Sequence, residues 1–337
     1  MATIKDIAKL AGVSITTVSR ALNNHSDVNR DTYKKIAKIA RQLGYQPNSS
    51  ARSLVLKKTN TIGLVVSNLT TRSGHHFLFD IICGVNEQAS LRHYDVFLIG
   101  TNTRQQEEVQ YKELCRRRSF DGVILAGLKI NDPYIDQAVQ AGVPTVLLGV
   151  PAPSDSVGSV ISDDVGGSMS AIQHLIDYGH RHILFINGHQ EAAVSQFRLE
   201  GYKKALEKNG LPYDEGKVAH ANFEIEGGGE AFAALIAKNP NATAVFCASD
   251  LMAYGMLGKA SELGYKVPDD ISVVGFDGIE ITEIMKPQLT TIDQDRFQIG
   301  TSAVNMLLEM MDGTPGYTRV MASKLIIRDS TKMLVPD

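Results

Sequence analysis

Apolar and polar positions follow two different rhythms along this chain. In the first 45 residues apolar side chains recur at helical spacing: Ile4, Ile7, Ala8 and Ala11, then Val18, Ala21 and Leu22, then Tyr33, Ile36, Ile39 and Ala40. That pattern predicts three short helices. Gly12 closes the first, Ser14 is a good N-cap for a second over about Ile15–Leu22, and Gly44 stops a third that runs from about Asp31 to Leu43. From Thr61 the texture changes. Short Val/Ile/Leu runs that end in Ser, Gly or Asn alternate with amphipathic stretches. TIGLVVSN precedes a helix from about Phe77 to His93; DVFLIGTN, GVILAG and TVLLG continue the series. The rhythm then restarts with GGSMSAIQHLIDYGH, ILFING and RLEGYKKALEKNG, and runs on to AVFCASD and ISVVGFD. Continuous apolar strands alternating with helices predict parallel sheets covered on both faces. The restart predicts two similar α/β lobes. In such folds ligands lie beyond the carboxyl ends of the strands, so two facing lobes make a cleft.

Charge sharpens the division. Residues 1–60 hold eleven Lys and Arg against three Asp and Glu, while the rest of the chain holds 23 against 34. The overall net charge of −3 hides a basic head on an acidic body. Such a head suits nucleic acid, although a solvated basic helix face gives the same count. The N-terminus is charged within its first five residues and has no apolar core, so no signal peptide is expected. The longest apolar runs are strand-length, too short to span a membrane. Cys83, Cys115 and Cys247 are far apart and read as reduced, mostly buried thiols, which fits the cytoplasm.

Two helices around a Gly-containing turn make a helix-turn-helix, whose second helix fits the DNA major groove. The residues DIAKLAGVSITTVSRALN, followed by LGYQPNSSARSL, resemble the head of the lactose-repressor (LacI/GalR) family: the AGVS turn, the TVSR start of the recognition helix, the GYxPN step and the ARxL hinge are all present. The resemblance implies that Ile15, Thr16 and Arg20 touch base edges. Arg20 can pair with guanine, Thr16 can bond a base or a phosphate, and Ile15 can pack only on a thymine methyl. Ser14, Thr17, Ser19 and Asn23 then contact phosphates, or in the blander reading of Thr17 and Ser19 are merely solvated. It also implies a hinge helix capped by Asn48, with Ala51 beside the minor groove and Leu54 wedged into a central base step. The alternative is a plain linker with Leu54 packed on the body.

The body, too, resembles this family, whose effector domain is like a periplasmic sugar-binding protein. The expected fold is therefore α/β: a three-helix helix-turn-helix head at 1–46, a hinge helix and linker at 47–60, and a two-lobed, periplasmic-binding-protein-like body with parallel sheets at 61–337. Chain crossings near Ser162, Thr291 and Ser323 would divide it into a first lobe of about 61–161 and 292–322 and a second of about 162–291 and 323–337. By the family pattern, Arg198 of SQFRLEGY, Ser249 and Asp250 of ASDL, Asp277 of VVGFD, Phe223 and Gln294 face the ligand from the second lobe and the crossing. Ser67, Asn68 and Phe77 face it from the first, with Asp164 as a further candidate. Arg, Asp and Gln around an aromatic plate suit a sugar, with paired bonds to vicinal hydroxyls and a flat surface for its C–H face. Plainer readings exist: Asp250 and Asp277 as caps, Arg198 in a surface ion pair, Phe223 in the core. Arg72, His75 and His76, in an extended first-lobe loop, either add polar contacts or stay solvated.

The remaining motifs point away from chemistry. His174, His180, His182 and His189 lack metal spacing. Gly227–Gly229 precede a helix without a P-loop lysine or dinucleotide fingerprint and read as a flexible helix start. No nucleophile elbow occurs. The expectation is thus no enzyme but a sequence-specific DNA-binding transcriptional regulator, a repressor of carbohydrate-utilisation genes. A small sugar or sugar phosphate between the lobes controls it, without a cofactor. The partners expected are double-stranded operator DNA and a second copy of the chain, with no membrane. The alternatives are a sugar-binding module without DNA regulation, a corepressor-dependent regulator, and a sugar-processing enzyme.

Overall fold

The computed structural model describes residues 2–22, 28–45, 58–67, 69 and 75–334, with the backbone alone at 75 and 76. The chain forms two compact units, Met1–Thr59 and Asn60–Asp337. Among the described residues no helix is long and apolar enough to cross a membrane.

The first unit holds α1 (Ile4–Ala11), α2 (Ile15–Leu22) and α3 (Arg30–Gln42). Thr3 and Asp6 form a reciprocal capping box at the start of α1, and Gly12 ends it in the left-handed conformation. Ile7, Ala8 and Ala11 meet Val18, Ala21, Ile36 and Ala40 in one small core. Tyr33 departs from expectation and is 40% exposed.

The second unit has two parallel sheets. The first joins β1 (Thr61–Ser67), β2 (Asp95–Thr101), β3 (Gly122–Ala126), β4 (Thr145–Leu148), β5 (Gly158–Ser162) and β11 (Thr318–Met321), in the order β11-β5-β4-β3-β1-β2. The second joins β6 (Ile183–Asn187), β7 (Val218–His220), β8 (Ala244–Cys247), β9 (Ser272–Asp277), β10 (Thr290–Gln294) and β12 (Ser323–Ile326), in the order β12-β10-β9-β8-β6-β7. Among the described strands only β12 runs antiparallel to its neighbour. Strands such as β3 and β6 are buried throughout, as their unbroken apolar runs require. The outer strands β2, β7, β11 and β12 are less buried, and in β2 Phe97 and Leu98 are about half exposed.

Helices α4 (His75–Leu91), α5 (Thr103–Glu108), α6 (Tyr111–Arg118) and α7 (Pro133–Ala141) lie between the first-lobe strands, α12 (Ile281–Ile284) follows β9, and three crossings join the lobes. The first follows β5, where Asp163 caps α8 (Asp164–Asp177). The second follows β10, where Asp295 caps α13 (Arg296–Met311). The third lies between β11 and β12. The middle crossing corrects the expected boundary at Thr291. Ile292, Asp293 and Gln294 stay in the second sheet, because Ile292 and Asp293 pair with both β9 and β12 and Gln294 pairs with β12. The Gly227–Gly229 stretch is also corrected. It lies inside α10 (Ile225–Lys238), where any side chain at Gly228 would strike the backbone of Met252 on α11 (Asp250–Glu262). Its glycines serve close helix packing and not a loose helix start.

Candidate functional site

In the head, Ser14 accepts a hydrogen bond from the Thr17 N–H at 3.0 Å, and the two hydroxyls lie 2.8 Å apart. Both side chains are therefore held at the start of α2. Ile15, 45% exposed, Thr16 and Arg20 lie on its outer side, while Thr17 and Ser19 are half-buried. Ile15 stands outside the small core of the head. Asn23, Asn48, Ala51 and Leu54 lie outside the described residues.

In the body, the strand ends of both lobes enclose a cavity of about 350 Å³. It is lined by Ser67, Phe77, Asp164, Arg198, Phe223, Ser249, Asp277 and Gln294. These expected residues are thus brought together; Asn68 lies outside the described residues.

The polar centre is a buried ion network. From α9 (Ala193–Lys208), Arg198 donates through Nε to Asp164 Oδ1 at 2.8 Å. Its Nη1 reaches the Ala248 carbonyl, and Asp277 Oδ1 at 3.5 Å. Its guanidinium lies 3.8 Å from the centre of the Phe276 ring. Arg198 is only 3% exposed, so the surface ion-pair reading fails. Gln294 Nε2 donates to Asp277 Oδ1 at 2.8 Å. Burial pushes the Asp277 carboxyl up to about 6, against the opposing pull of Arg198 and Arg296. Asp164 is raised by burial too, although Arg198 pulls it down. Among the described residues Asp164 Oδ2 is buried without a hydrogen-bond partner.

Backbone strain collects here as well. Asp277 has φ 113° and Phe223 φ 66°. Each such conformation costs about 1–3 kcal/mol and persists where the surroundings enforce it. Phe223 is seated on Gly188, where a Cβ would occupy the ring's place. Its ring meets His189 edge-on, 5.4 Å between centroids. Phe223 also packs against the second-lobe core, so its core and cleft readings both hold.

Three expected residues have other duties. Asp250 does not line the cavity and does not cap α11. Its Oδ2 accepts from the Ile279 N–H at 2.9 Å and its Oδ1 from the Thr291 hydroxyl at 2.5 Å. It holds the turn after β9 and so positions Asp277. Ser249 lines the cavity, but its hydroxyl is the N-cap, accepting from Met252 N–H at 3.2 Å. Ser67 lines the cavity while its hydroxyl bonds Asp132 at 3.1 Å and Gln106 at 3.2 Å within its own lobe.

The sequence reading overlooked three groups. His189 lines the cavity at the end of β6, with Nδ1 buried and unpaired among the described residues. Arg296, at the middle crossing, joins the Asp277 carbonyl in the second lobe to Asp80 in the first, at 2.8 Å. Lys129 of the first lobe pairs with Glu191 of the second, beside an Ile130 N–H to Glu191 carbonyl bond of 2.8 Å. Lys129 and His189 follow strands β3 and β6, so the strand-end rule was the signal that pointed to them.

Comparison with known proteins adds to this geometry. Residues 3–48 match the family described as bacterial regulatory proteins, lacI family, and residues 172–331 match the periplasmic binding protein-like domain. The chain is 35% identical over 337 residues to the probable HTH-type transcriptional repressor ExuR of Bacillus subtilis (strain 168), covering 99% of each chain. It is 35% identical over 336 residues to the HTH-type transcriptional repressor CytR of Escherichia coli (strain K12), covering 99% of this chain and 97% of that one. Among solved structures, the Lac repressor dimer bound to operator and the anti-inducer ONPF superposes with a TM-score of 0.86 at 27% identity, over 98% of this chain and 99% of that one. The transcriptional regulator CelR–cellobiose complex gives 0.75 at 32% identity, over 98% and 100%.

Proposed function

The chain belongs to the lacI family of bacterial regulatory proteins, the DNA-binding transcriptional repressors, and from that premise we propose that it represses carbohydrate-utilisation genes under control of a sugar-like effector in the cleft. One observation carries the effector reading. Asp164, Arg198, Asp277, Gln294 and the Phe223 ring converge on one cleft cavity, which supplies hydroxyl partners and a flat apolar face together. Homologous regulators solved with cellobiose or ribose support the same ligand chemistry.

Binding acts through the lobes. An effector can shift their relative pose only by preferring one pose over the other. Here the candidates for that preference are the ties that span the cleft, Lys129–Glu191 and Asp80–Arg296. The preferred sign is induction, with effector releasing DNA. A homodimer places one head on each half of a pseudo-palindromic operator in the cytoplasm, with no cofactor besides the effector. The exposed apolar edge of β2, with Phe97 and Leu98, is the surface offered to the second copy, since a bare apolar edge invites association.

The test is electrophoretic retardation of the chain's own upstream DNA, with and without candidate sugars. Sequence-specific retardation relieved by a sugar is expected. No specific retardation at moderate salt under any condition would sink the reading. In the same assay Arg20→Ala should abolish specific binding and keep part of the non-specific binding; equal loss on random DNA would reduce Arg20 to a phosphate contact.

A further inference from the structure

A second cavity in the second lobe shares no described lining residue with the cleft, and the structure assigns it to a zwitterionic α-amino acid whose binding tunes the cleft. It has a volume of about 320 Å³ and lies between α9 and the edge strand β7. Gln196, Leu199 and Lys203 enter it from one face of α9, at helical spacing. Tyr213 and Glu215 come from the segment before β7, and Asn187 and His220 from the ends of β6 and β7. The sign of an occupant is Ser195. Its side chain lines the cavity and is fully buried, and its hydroxyl has no hydrogen-bond partner among the described residues. A buried hydroxyl left unpaired is costly, and a bound polar group relieves that cost. Charge sets the class of ligand. Lys203 and Glu215 bring one charge of each sign to the same cavity, and among the described residues neither is in an ion pair. The Lys203 ammonium instead lies 4.4 Å from the centre of the Tyr213 ring. A simple anion would meet Glu215, and a simple cation Lys203. A neutral polyol would cover both charges and match neither. An α-amino acid presents a carboxylate to one and an ammonium to the other, and its size suits a cavity at the small end of the range, roughly 300–1,000 Å³.

This cavity reaches the cleft through one residue, Gly188. Asn187 Oδ1 accepts from the Gly188 N–H at 2.9 Å, and His220 Nδ1 donates to the Gly188 carbonyl at 3.1 Å. The Phe223 ring of the cleft sits directly on the same glycine. Asn187 Nδ2 also donates to the Ser195 carbonyl at 3.0 Å, one helical turn before Arg198. An occupant that engages Ser195 and His220 therefore bears on both Phe223 and Arg198. By linkage, a ligand in the cleft then changes amino-acid affinity by the same factor. This coupling rests on the reading of the cleft as the effector site; the amino-acid site itself does not.

The experiment is titration calorimetry on the full-length protein with the common α-amino acids, and with the amide and the N-acetyl derivative of each one that binds. Each derivative keeps only one of the two charges. The expected result is binding of an amino acid, weakened roughly ten- to a hundredfold in either derivative. Lys203→Met and Glu215→Gln, both at exposed positions, should each weaken it by about tenfold or more. Ser195→Ala should weaken it too, without lowering the thermal midpoint of the unliganded protein, since an unpaired hydroxyl supports nothing in the fold. With the amino acid saturating, the affinity of a sugar that binds the protein should shift by about fivefold or more. Failure of every amino acid to bind, equal binding of the singly charged derivatives, or binding that Lys203→Met and Glu215→Gln leave unchanged would overturn the site. A thermal midpoint lowered by Ser195→Ala would do the same, because the hydroxyl would then serve the fold. An unchanged sugar affinity would overturn the coupling. Binding of an amino acid but of no sugar would support this site and sink the effector reading of the cleft.

Discussion

The two lobes share one strand order, yet they present contrasting surfaces to the same cavity. Among the described residues of the first lobe, the strand ends of β1, β3, β4 and β5 offer mainly Leu, Val and Ala, with Ser67 bonded within its own lobe and Lys129 paired across the cleft. In the second, the ends of β6, β8, β9 and β10 lead into His189, Ser249, Asp277 and Gln294, with Arg198 from α9 among them. Topology therefore fixes where the cleft is and says nothing of its chemistry. The polar wall needs support that the apolar wall does not. Asp250 holds the turn beside Asp277, and Gly188 leaves the space that the Phe223 ring fills. The apolar wall needs only its own packing.

That contrast can be broken most severely at Arg198. Arg198→Ala strands Asp164 and Asp277 in a buried site, which should cost about 3–5 kcal/mol of second-unit stability by urea unfolding. Adding Asp164→Asn and Asp277→Asn should recover most of that loss. No recovery would mean that Arg198 acts by packing on Phe276 and not by charge. Next in size, Asp277→Ala should weaken effector binding about a hundredfold, as expected for a charge-assisted hydrogen bond, while operator affinity in its absence is kept. Calorimetry on the variant checks the first half and DNA retardation the second; a normal ligand titration would refute this placement.

A pH series sharpens the same point with a smaller effect. Hydroxyl donors prefer the ionised Asp277, whose carboxyl is raised to about 6 by burial. Effector affinity should thus be about tenfold weaker at pH 5 than at pH 7. The stability sign is opposite. A folded-state pKa raised above the unfolded value favours the fold at low pH, and that contribution is lost as pH rises through about 6. The groups facing Asp277 are Arg198, Arg296, Asp164, Asp250 and Gln294. A flat affinity profile between pH 5 and 7 would show that the ligand does not meet this carboxylate. Smallest of all, Lys129→Ala removes a tie between half-exposed side chains and should change stability by less than about 1 kcal/mol. Its expected signature is a shift in the effector concentration needed to release DNA; no shift would remove this tie from the switch.

Much of this was legible in the sequence. The helical spacing of Ile7, Ala11, Val18 and Ile36 gave the head, and unbroken runs such as GVILA and ILFIN gave strands buried on both faces. The family pattern placed Arg198, Asp277, Phe223 and Gln294 in one cavity. The errors have physical causes. Asp250 belongs to the same motif as Ser249, and only three-dimensional packing shows that one carboxylate holds the β9 turn while the hydroxyl caps the helix. The middle crossing was set too early because Ile292 is as apolar at the end of a strand as at a boundary; its pairing with β12 depends on a segment about 30 residues on. Arg296, Lys129 and Glu191 escaped notice because pairs between lobes leave no periodic trace in the sequence.

The central claim is that the cleft controls the head, and one titration tests it directly. Fluorescence anisotropy of labelled upstream DNA bound to the full-length protein should fall as a candidate sugar that binds the protein is added. The same titration on Asp277→Ala should leave the DNA bound. Release of DNA from both proteins at the same carbohydrate concentration would contradict the account, because control would then arise outside the cleft described here.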